Sequence, residues 1–329
     1  MKVLVTGGTG FVGTHLLPVL ERAGHSLTLA MRDSGAEARL PKAIASRQPR
    51  IAVVGDIDER TDWRDALQDC NAVIHLAARA HVLDESAEDE DAFMKVNVRG
   101  TSRLVEQAID AGIRRFILMS SIGAVTASSD SLVTLETPCR PETPYGRSKL
   151  AAERALIDQS RGTSMVWTIL RPTLVYGPGN PGNMSRLVAL VRRGLPLPLG
   201  AVANRRSFTF VENLVDATAI ALAHRNAAHA VLLLADGEDL STPELIRRVA
   251  ALTGSRTRLV SVPMPLLRRL ARGADTFTEA TGWSLPLDTG TLRRLESSLY
   301  VDIEPLREKL GWTPQIGVDE GLRRMLAAP

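Results

Sequence analysis

A tyrosine and a lysine four residues apart could carry acid–base chemistry in this chain. They are Tyr145 and Lys149, in the stretch PYGRSKLAAE, and a helix that begins near Tyr145 would place both on one face. A phenol with an ordinary pKa near ~10 is a poor proton donor or acceptor at neutral pH. A lysine cation beside it would stabilise the phenolate and lower the pKa of the tyrosine. We therefore expect Tyr145 to act as the acid or base, with Lys149 as its electrostatic partner.

A hydroxyl group that could polarise a substrate oxygen lies upstream of this pair. The stretch FILMSSIG is an apolar strand that ends at Ser120 and Ser121. Open α/β sheets bind their ligands at the carboxyl ends of the strands, which is where these serines fall. We expect a serine of this pair to assist the tyrosine and to contact the substrate.

Three glycines near the start of the chain are typical of a phosphate cradle. The stretch VTGGTGFVG spans residues 5–13 and contains Gly7, Gly10 and Gly13 between a short strand and an amphipathic segment. In such a strand–turn–helix, the glycines permit a tight turn, close approach of backbone to a pyrophosphate, and close packing of helix on strand. The helix start, at Phe11 and Val12, offers free N–H groups to the phosphates. The pattern predicts a dinucleotide site.

The residues after the second strand bear on which dinucleotide binds. In LTLAMRDSG, Met31 takes the position where an acid would hold a ribose 2′-hydroxyl, and Arg32 follows it. An arginine there is well placed to meet a 2′-phosphate, which favours NADP(H). The alternative is a solvated Arg32 with Asp33 reaching the hydroxyl, which would suit NAD(H).

Strand-like and helix-like segments alternate through the first half of the chain. The predicted strands are 2–6, 26–31, 51–54, 72–76, 115–120 and 166–170, and the predicted helices between them include 13–23, 93–111 and 148–160. Short continuous apolar strands alternating with helices indicate a parallel sheet that is buried on both faces. We predict an α/β fold with a Rossmann-like, doubly wound parallel sheet.

The composition of the sequence changes after residue 171, where glycine and proline become frequent. We predict a dinucleotide-binding domain over residues 1–171 and a smaller substrate-binding domain over residues 172–329, with a segment near 207–225 returning to the first domain.

Composition excludes several other classes of protein. The chain has 329 residues, 44% of them hydrophobic, but no run near the ~20 apolar residues that span a bilayer. The net charge is +3 with scattered basic residues and only 4% aromatics, so we expect neither a nucleic-acid nor a membrane partner. No secretory signal is present, and Cys70 and Cys139 are not in metal-ligand spacing. We expect a cytoplasmic protein without disulfides or a metal site.

Together these motifs resemble the extended short-chain dehydrogenase/reductase superfamily, and within it the nucleotide-sugar epimerase/dehydratase branch. The similarity spans essentially the whole chain and is carried by TGGTGFVG, HLAA, SS, YGRSK, LRPTLVYGPG, RRSFTFVENLVDA and LREKLGWTP. The resemblance implies that Ser121 is the catalytic hydroxyl, Tyr145 the acid or base and Lys149 its partner. It also implies hydride chemistry at carbon 4 of a nucleotide-linked sugar, with UDP as the favoured nucleotide, in surface-polysaccharide pathways.

The resemblance adds further positions around the cofactor. It implies that Asp56 binds the adenine amino group with the backbone of Ile57 beside it. The backbone of Leu76, Ala77 and Ala78, in HLAA, would lie against the dinucleotide.

Positions for the substrate and for structure follow from the same resemblance. Arg206 would meet a diphosphate oxygen of the sugar nucleotide, a task suited to a guanidinium. Asn183 and the backbone at Leu199 would line the nucleotide pocket. His75 is expected to be a packed core residue, and Asn97 is expected to fasten two elements by hydrogen bonds to backbone.

Two departures from the family pattern narrow the chemistry. The 4,6-dehydratases carry Asp and then Glu after the catalytic hydroxyl, whereas this chain has Ile122 and Gly123. We therefore expect no dehydratase activity. A tyrosine–glycine pair common in this branch is replaced by Ala124, Val125 and Thr126, which leaves open how the sugar is held beside the serine.

Three functions remain open from the sequence. A 4-keto-sugar reductase with exchangeable NADPH is favoured by Arg32, and a UDP-hexose 4-epimerase with retained NAD would use the same Ser121, Tyr145 and Lys149. A non-catalytic dinucleotide-sensing protein is the third reading, and retention of all three of those residues argues against it.

We also expect a homodimer, because helices 93–111 and 148–160 resemble the pair through which relatives dimerise. Leu104, Ala108, Ala151 and Ala155 are predicted on their outer faces, where they could pack as a four-helix bundle.

Overall fold

A parallel sheet of seven strands runs through the centre of the computed structural model, which describes residues 1–80, 87–281 and 288–327. The strands of the described chain are β1 (Lys2–Thr6), β2 (Ser26–Met31), β3 (Arg50–Val53), β4 (Ala72–His75), β5 (Arg115–Met119), β6 (Val166–Pro172), β7 (Leu174–Tyr176), β8 (Arg206–Phe210), β9 (Ala230–Leu234) and β10 (Asp239–Leu240). The central sheet has the order β3-β2-β1-β4-β5-β6-β9, and every pairing in it is parallel.

Helices cover both faces of this sheet. The helices of the described residues as a whole are α1 (Phe11–Arg22), α2 (Lys42–Ala45), α3 (Arg64–Leu67), α4 (Ala87–Phe93), α5 (Thr101–Asp110), α6 (Pro144–Ser160), α7 (Asn183–Arg192), α8 (Val211–Ala223), α9 (Thr242–Thr253), α10 (Met264–Thr281), α11 (Thr289–Glu296), α12 (Glu304–Leu310) and α13 (Val318–Ala327). A π-helical turn, Met94–Gly100, joins α4 to α5, and 3₁₀ turns cover Ser34–Arg39, Ile122–Ala124 and Arg225–Ala227.

Alternate residues of each strand face the two layers of helices. Val3 and Val5 pack with α1 and α8 in one core, whereas Leu4 between them packs with α5 and α6 in another. Both cores are fully buried, which is why the strands read as continuous apolar runs. The Rossmann-like α/β fold expected from the sequence is confirmed.

A smaller sheet of three strands follows the central one along the chain. Its order is β10-β8-β7, with β7 and β8 parallel and β8 and β10 antiparallel. After β8 the chain returns to the large sheet, because α8 packs on α1 and β9 pairs with β6. The segment 299–301 connects β8 with the loop that follows β5. Leu299 forms a bridge with Arg206 of β8, and Val301 forms a bridge with Val133 of that loop.

The predicted elements differ from the structure in detail. β6 continues to Pro172, two residues beyond its predicted end, and the predicted helix 93–111 is divided into the end of α4, the π-helical turn and α5. Strand β9 and the small sheet were not predicted. Among the described residues, none of the helices is long and apolar enough to cross a membrane.

The predicted dimer face is wrong at two of its four residues. Leu104 and Ala108 are fully buried in the core beneath the sheet, where α5 packs on α6, so they are not on an outer surface. The pattern misplaced them because α5 has one strongly apolar face, and that face is taken by the core of its own chain. Ala151 and Ala155 are partly exposed on α6.

Candidate active site

The strand order reverses between β1 and β4, and this is where the predicted residues converge. Strands β2 and β3 lie on one side of β1, and β4, β5 and β6 lie on the other. In open α/β sheets, the crevice at such a reversal, at the carboxyl ends of the strands, is the usual ligand site. The loops after β1, β4 and β5 all open there.

Two glycines of the loop after β1 are packed too tightly for a side chain. Gly7 has φ of +71°, and a Cβ on it would lie 2.7 Å from the backbone nitrogen of Ala77 after β4. A Cβ on Gly13 would lie 2.3 Å from the carbonyl oxygen of Gly7. Gly10 is the N-cap of α1, so the N–H groups of Phe11 and Val12 start the helix beside the loop and have no carbonyl to bond within it. The loop therefore fits the diphosphate of a dinucleotide.

The chain after β4 is held against this loop by a buried hydrogen-bond chain. The Thr6 hydroxyl accepts the N–H of Ala77 at 3.2 Å and lies 2.7 Å from His75 Nδ1. His75 Nε2 lies 3.0 Å from the hydroxyl of Thr101, and burial lowers the pKa of His75 to about 3. His75 is thus a neutral core residue, as expected. Leu76 and Ala77 lie against the glycine loop through their backbone, and Ala78 follows them.

Arg32 is paired with the residue that was expected to bind adenine. Its Nε lies 2.8 Å from Asp56 Oδ1, and both side chains are largely exposed. Asp33 is used locally, because its carboxylate accepts the N–H of Ala36 at 2.9 Å and caps a 3₁₀ turn. Ile57 packs on Gly100 of the π-helical turn. Arg32 is therefore already paired with a carboxylate, which is a poor setting for a phosphate dianion.

Ser121, Tyr145 and Lys149 are brought together at the end of β5. Helix α6 begins one residue before the tyrosine, with Thr143 as N-cap and Pro144 in the first turn. Tyr145 lies beside Ser121: a Cβ on Gly123 would lie 3.4 Å from Ser121 Oγ and 3.9 Å from the ring of Tyr145, and Ser121 Oγ accepts the N–H of Gly123 at 3.1 Å. Lys149 lies one turn further along the same face and is 4% exposed.

The acidity of the tyrosine differs from the expectation. Burial raises the pKa of Tyr145 to about 12, and the hydrogen bond with Ser121 acts in the lowering direction. Burial also lowers the pKa of Lys149 to about 8. The predicted lowering of the tyrosine pKa by Lys149 is therefore wrong for the protein alone, because desolvation of the phenol outweighs its neighbours.

Asn97 ties the cofactor side of the crevice to α6. It lies in the π-helical turn, and its Oδ1 accepts the N–H of Arg79 at 2.7 Å. Its Nδ2 donates to the carbonyl of Arg79 at 3.0 Å and to the hydroxyl of Ser148 at 2.9 Å. Ser148 precedes Lys149, so the expected structural role of Asn97 extends to α6.

The predicted substrate residues lie on the second part of the chain. Arg206 opens β8, and its Nη1 donates to the carbonyl of Arg294 at 2.6 Å and to Ser297 Oγ at 3.2 Å, at the end of α11. Burial lowers the pKa of Arg206. The side chain of Leu199 is buried, so only its backbone could meet a nucleotide. Asn183 begins α7, and its side chain lies outside the described residues.

Comparison with known proteins is consistent with this geometry. Residues 3–233 match the NAD-dependent epimerase/dehydratase family. The chain belongs to that family. It is 38% identical to the UDP-glucose 4-epimerase of Vibrio cholerae over 332 residues, which cover 99% of this chain and 95% of the relative.

Two further relatives show the range of this fold. The 2-alkyl-3-oxoalkanoate reductase of Stenotrophomonas maltophilia is 26% identical over 358 residues, covering 100% of this chain and 99% of the reductase. The structure of MoeE5 in complex with UDP-glucose and NAD superposes with a TM-score of 0.76 at 28% identity, covering 99% of this chain and 97% of MoeE5. The resemblance to the extended short-chain dehydrogenases and reductases is thus confirmed.

One buried cluster in this family member was missed from the sequence. Glu153 accepts hydrogen bonds from the Ser120 hydroxyl and from Arg171, whose Nε and Nη2 lie 3.0 and 2.6 Å from the two carboxylate oxygens. Both charged side chains are almost fully buried. The available signal was the spacing, because Glu153 follows Lys149 by four residues and so shares its helix face.

Proposed function

We propose that this protein is a 4-epimerase of UDP-linked hexoses that retains NAD through its catalytic cycle. The observation that carries the proposal is the joined set of Ser121, Tyr145 and Lys149 beside a glycine loop that fits a dinucleotide. Its support from relatives is the 38% identity to a UDP-glucose 4-epimerase across the whole chain. UDP is taken from that relative and from the UDP-glucose bound to MoeE5.

Each residue has a defined task in this proposal. Gly7, Gly10 and Gly13 give the diphosphate access to the backbone, and Asp56 with Ile57 bounds the adenine. Ser121 donates a hydrogen bond to the oxygen on carbon 4 of the sugar. Tyr145 takes the proton from that hydroxyl and returns it, and Lys149 supplies the nearby positive charge that favours the phenolate. A dinucleotide held by the glycine loop would supply hydride exchange at carbon 4, with removal of hydride from one face of the sugar and its return to the other.

The substrate would extend from this centre toward the small sheet. Arg206 is the residue we assign to the diphosphate of the sugar nucleotide, with Asn183 and the backbone of Leu199 near the nucleotide. Its guanidinium is already oriented by the end of α11, so the diphosphate would meet a fixed cation.

A 4-keto-sugar reductase that exchanges NADPH is the second candidate. It was favoured on Arg32 alone, and the pairing of Arg32 with Asp56 weakens that argument. The candidate is supported by the 2-alkyl-3-oxoalkanoate reductase, a relative that matches this chain over its whole length. In either case we propose a cytoplasmic homodimer that supplies surface-polysaccharide synthesis, with Cys70 and Cys139 as free thiols.

The cofactor in freshly purified protein separates these candidates. We expect NAD to be released on denaturation and the native protein to interconvert UDP-glucose and UDP-galactose with no added cofactor. Tyr145→Phe should abolish turnover and retain NAD, because only the proton path is lost. Tyr300→Phe is the matched control, since that hydroxyl bonds the backbone of Asp130.

Other outcomes contradict the proposal in distinct ways. An empty site that fills with NADPH, together with stoichiometric release of NADP during turnover of a keto sugar, would identify a reductase. Binding of a dinucleotide with no hydride transfer in the unmutated protein or in Tyr145→Phe would identify a sensing protein.

A further inference from the structure

Glu153 shares one face of α6 with the two residues assigned to the chemistry. Tyr145, Lys149 and Glu153 are spaced by four residues, which places them in a row along the helix. Glu153 is only 2% exposed, and its carboxylate accepts from Arg171 through both oxygens and from the hydroxyl of Ser120. A carboxylate that accepts two hydrogen bonds from a guanidinium is fixed in orientation.

This carboxylate joins three elements that must be in register for the reaction. Glu153 belongs to α6, Ser120 follows the last residue of β5 and precedes Ser121, and Arg171 lies near the end of β6. The hydrogen bond to Ser120 therefore fixes the strand end that carries the catalytic hydroxyl, relative to the helix that carries the tyrosine.

The charges around Lys149 make Glu153 its counter-ion. Burial lowers the pKa of Lys149, and the charge of Glu153 acts in the opposite direction. The other ionisable groups facing this region are Arg171 on β6, a cation, Cys139, whose Sγ lies 3.6 Å from Arg171 Nη2, His75 on β4, which is neutral, and Tyr145 on α6 itself. Glu153 is thus ion-paired with Arg171 and lies one helical turn from Lys149, on which its charge acts.

Stability alone is a weak reason to keep such a cluster. A buried ion pair is often no more stabilising than apolar residues of similar volume, because desolvation of both charges opposes their attraction. An apolar replacement of Glu153 and Arg171 together would nevertheless leave Lys149 without an anion one helical turn away. The cluster is therefore better explained by what it does for its neighbours.

We propose that Glu153 is a positioning residue for the reaction, holding Lys149 as an ammonium beside Tyr145 and holding the Ser121 strand end in register. Arg171 orients the Glu153 carboxylate through two hydrogen bonds. The inference rests on the proposed function only in taking Ser121, Tyr145 and Lys149 as the reacting set.

The test measures the protonation of Lys149 directly, by NMR titration of ¹³C,¹⁵N-labelled lysine side chains. The spectrum is simple because lysine occurs at few positions, namely Lys2, Lys42, Lys95, Lys149 and Lys309. Glu153→Gln keeps the shape and removes the charge, and we expect the titration midpoint of Lys149 to fall by roughly one pH unit or more. The alkaline limb of the turnover profile should move to lower pH by a similar amount. Ser120→Ala, which removes a hydrogen bond but no charge, should leave the midpoint in place.

A second variant covers the case in which Glu153→Gln does not fold, since it leaves Arg171 buried without a partner. Glu153→Gln combined with Arg171→Met removes both charges, and the midpoint should still fall, though by less, because a repelling cation is also lost. An unchanged Lys149 midpoint in whichever variant folds would overturn the proposal. A lowered midpoint in a protein that turns over no sugar nucleotide would instead support Glu153 as the counter-ion and refute the proposed function.

Discussion

The ion pair between Arg32 and Asp56 predicts the cofactor preference. A 2′-phosphate at the end of β2 would need Arg32, whose Nε is 2.8 Å from Asp56, and it would approach the carboxylate of Asp56. We therefore expect NADH to bind more tightly than NADPH. Replacing Asp56 by Asn removes one negative charge, frees Arg32 and retains an acceptor oxygen for the adenine amino group.

The magnitude follows from two opposing contributions. Breaking an exposed ion pair costs about 0.2–1 kcal/mol, and a charge-assisted contact to phosphate contributes about 1.5–3 kcal/mol. Asp56→Asn should therefore improve NADPH binding relative to NADH by up to about fivefold. Adding Arg32→Ala in that background removes the phosphate contact and should weaken NADPH by roughly 10- to 100-fold, with NADH changed by less than about twofold.

Calorimetric titration of protein stripped of bound dinucleotide would measure both affinities. Arg47→Ala is the matched control, because Arg47 is an equally exposed arginine whose Nε lies 3.0 Å from Glu21. It should leave both affinities unchanged. Equal losses of NADH and NADPH binding on changing Arg32 would refute the reasoning, since they would mean that Arg32 contacts a part shared by the two cofactors.

Two further variants test the core around the site. Gly13→Ala places a Cβ 2.3 Å from the carbonyl oxygen of Gly7. We therefore expect this variant to lose dinucleotide binding and to be destabilised by about 1–3 kcal/mol in urea unfolding. Gly273→Ala is the control and should not destabilise the protein, because Gly273 lies in α10 with open space around it. Burial lowers the pKa of His75 to about 3, from 6.5 in the unfolded chain. The free energy of unfolding should therefore be highest above pH 6.5 and should fall by up to about 4 kcal/mol as the pH drops toward 3. His75→Leu should flatten that slope in unfolding experiments at several pH values, and exposed His229→Asn should not; an unchanged slope in His75→Leu would contradict the buried neutral assignment.

The central sheet was predictable because its strands are buried on both faces. Strands β1 and β2 were predicted at their observed bounds. A short apolar run such as Lys2–Thr6, followed by a glycine loop, is typical of a buried strand. The two-residue strand β10 carries no such signal, because it exists only through its pairing with β8. Strand β9 is an apolar run, but its place beside β6 depends on contacts distant in sequence.

The proposed catalytic residues could be named from the sequence, but their electrostatics could not. The spacing of four from Tyr145 to Lys149 predicts a shared helix face, whatever the rest of the fold. The pKa of Tyr145 depends on how deeply α6 packs against the loop after β5, which no local pattern reports. The ion pair of Arg32 could not be predicted either, because its partner Asp56 follows the end of a different strand.

The departure from the family pattern after Ser121 has a physical explanation in the packing. Ala124 and Val125, which replace the usual tyrosine–glycine pair, are fully buried, and Val125 packs in a cluster with Leu299 and Val301. The segment 299–301 also pairs with β8, which carries the proposed diphosphate contact.

Because Val125 packs in this cluster, its side chain is part of the support between the Ser121 loop and the small sheet. A sugar beside Ser121 would therefore be held by groups from elsewhere in the crevice. The substitutions change the packing beneath the proposed sugar site and leave the set of Ser121, Tyr145 and Lys149 complete.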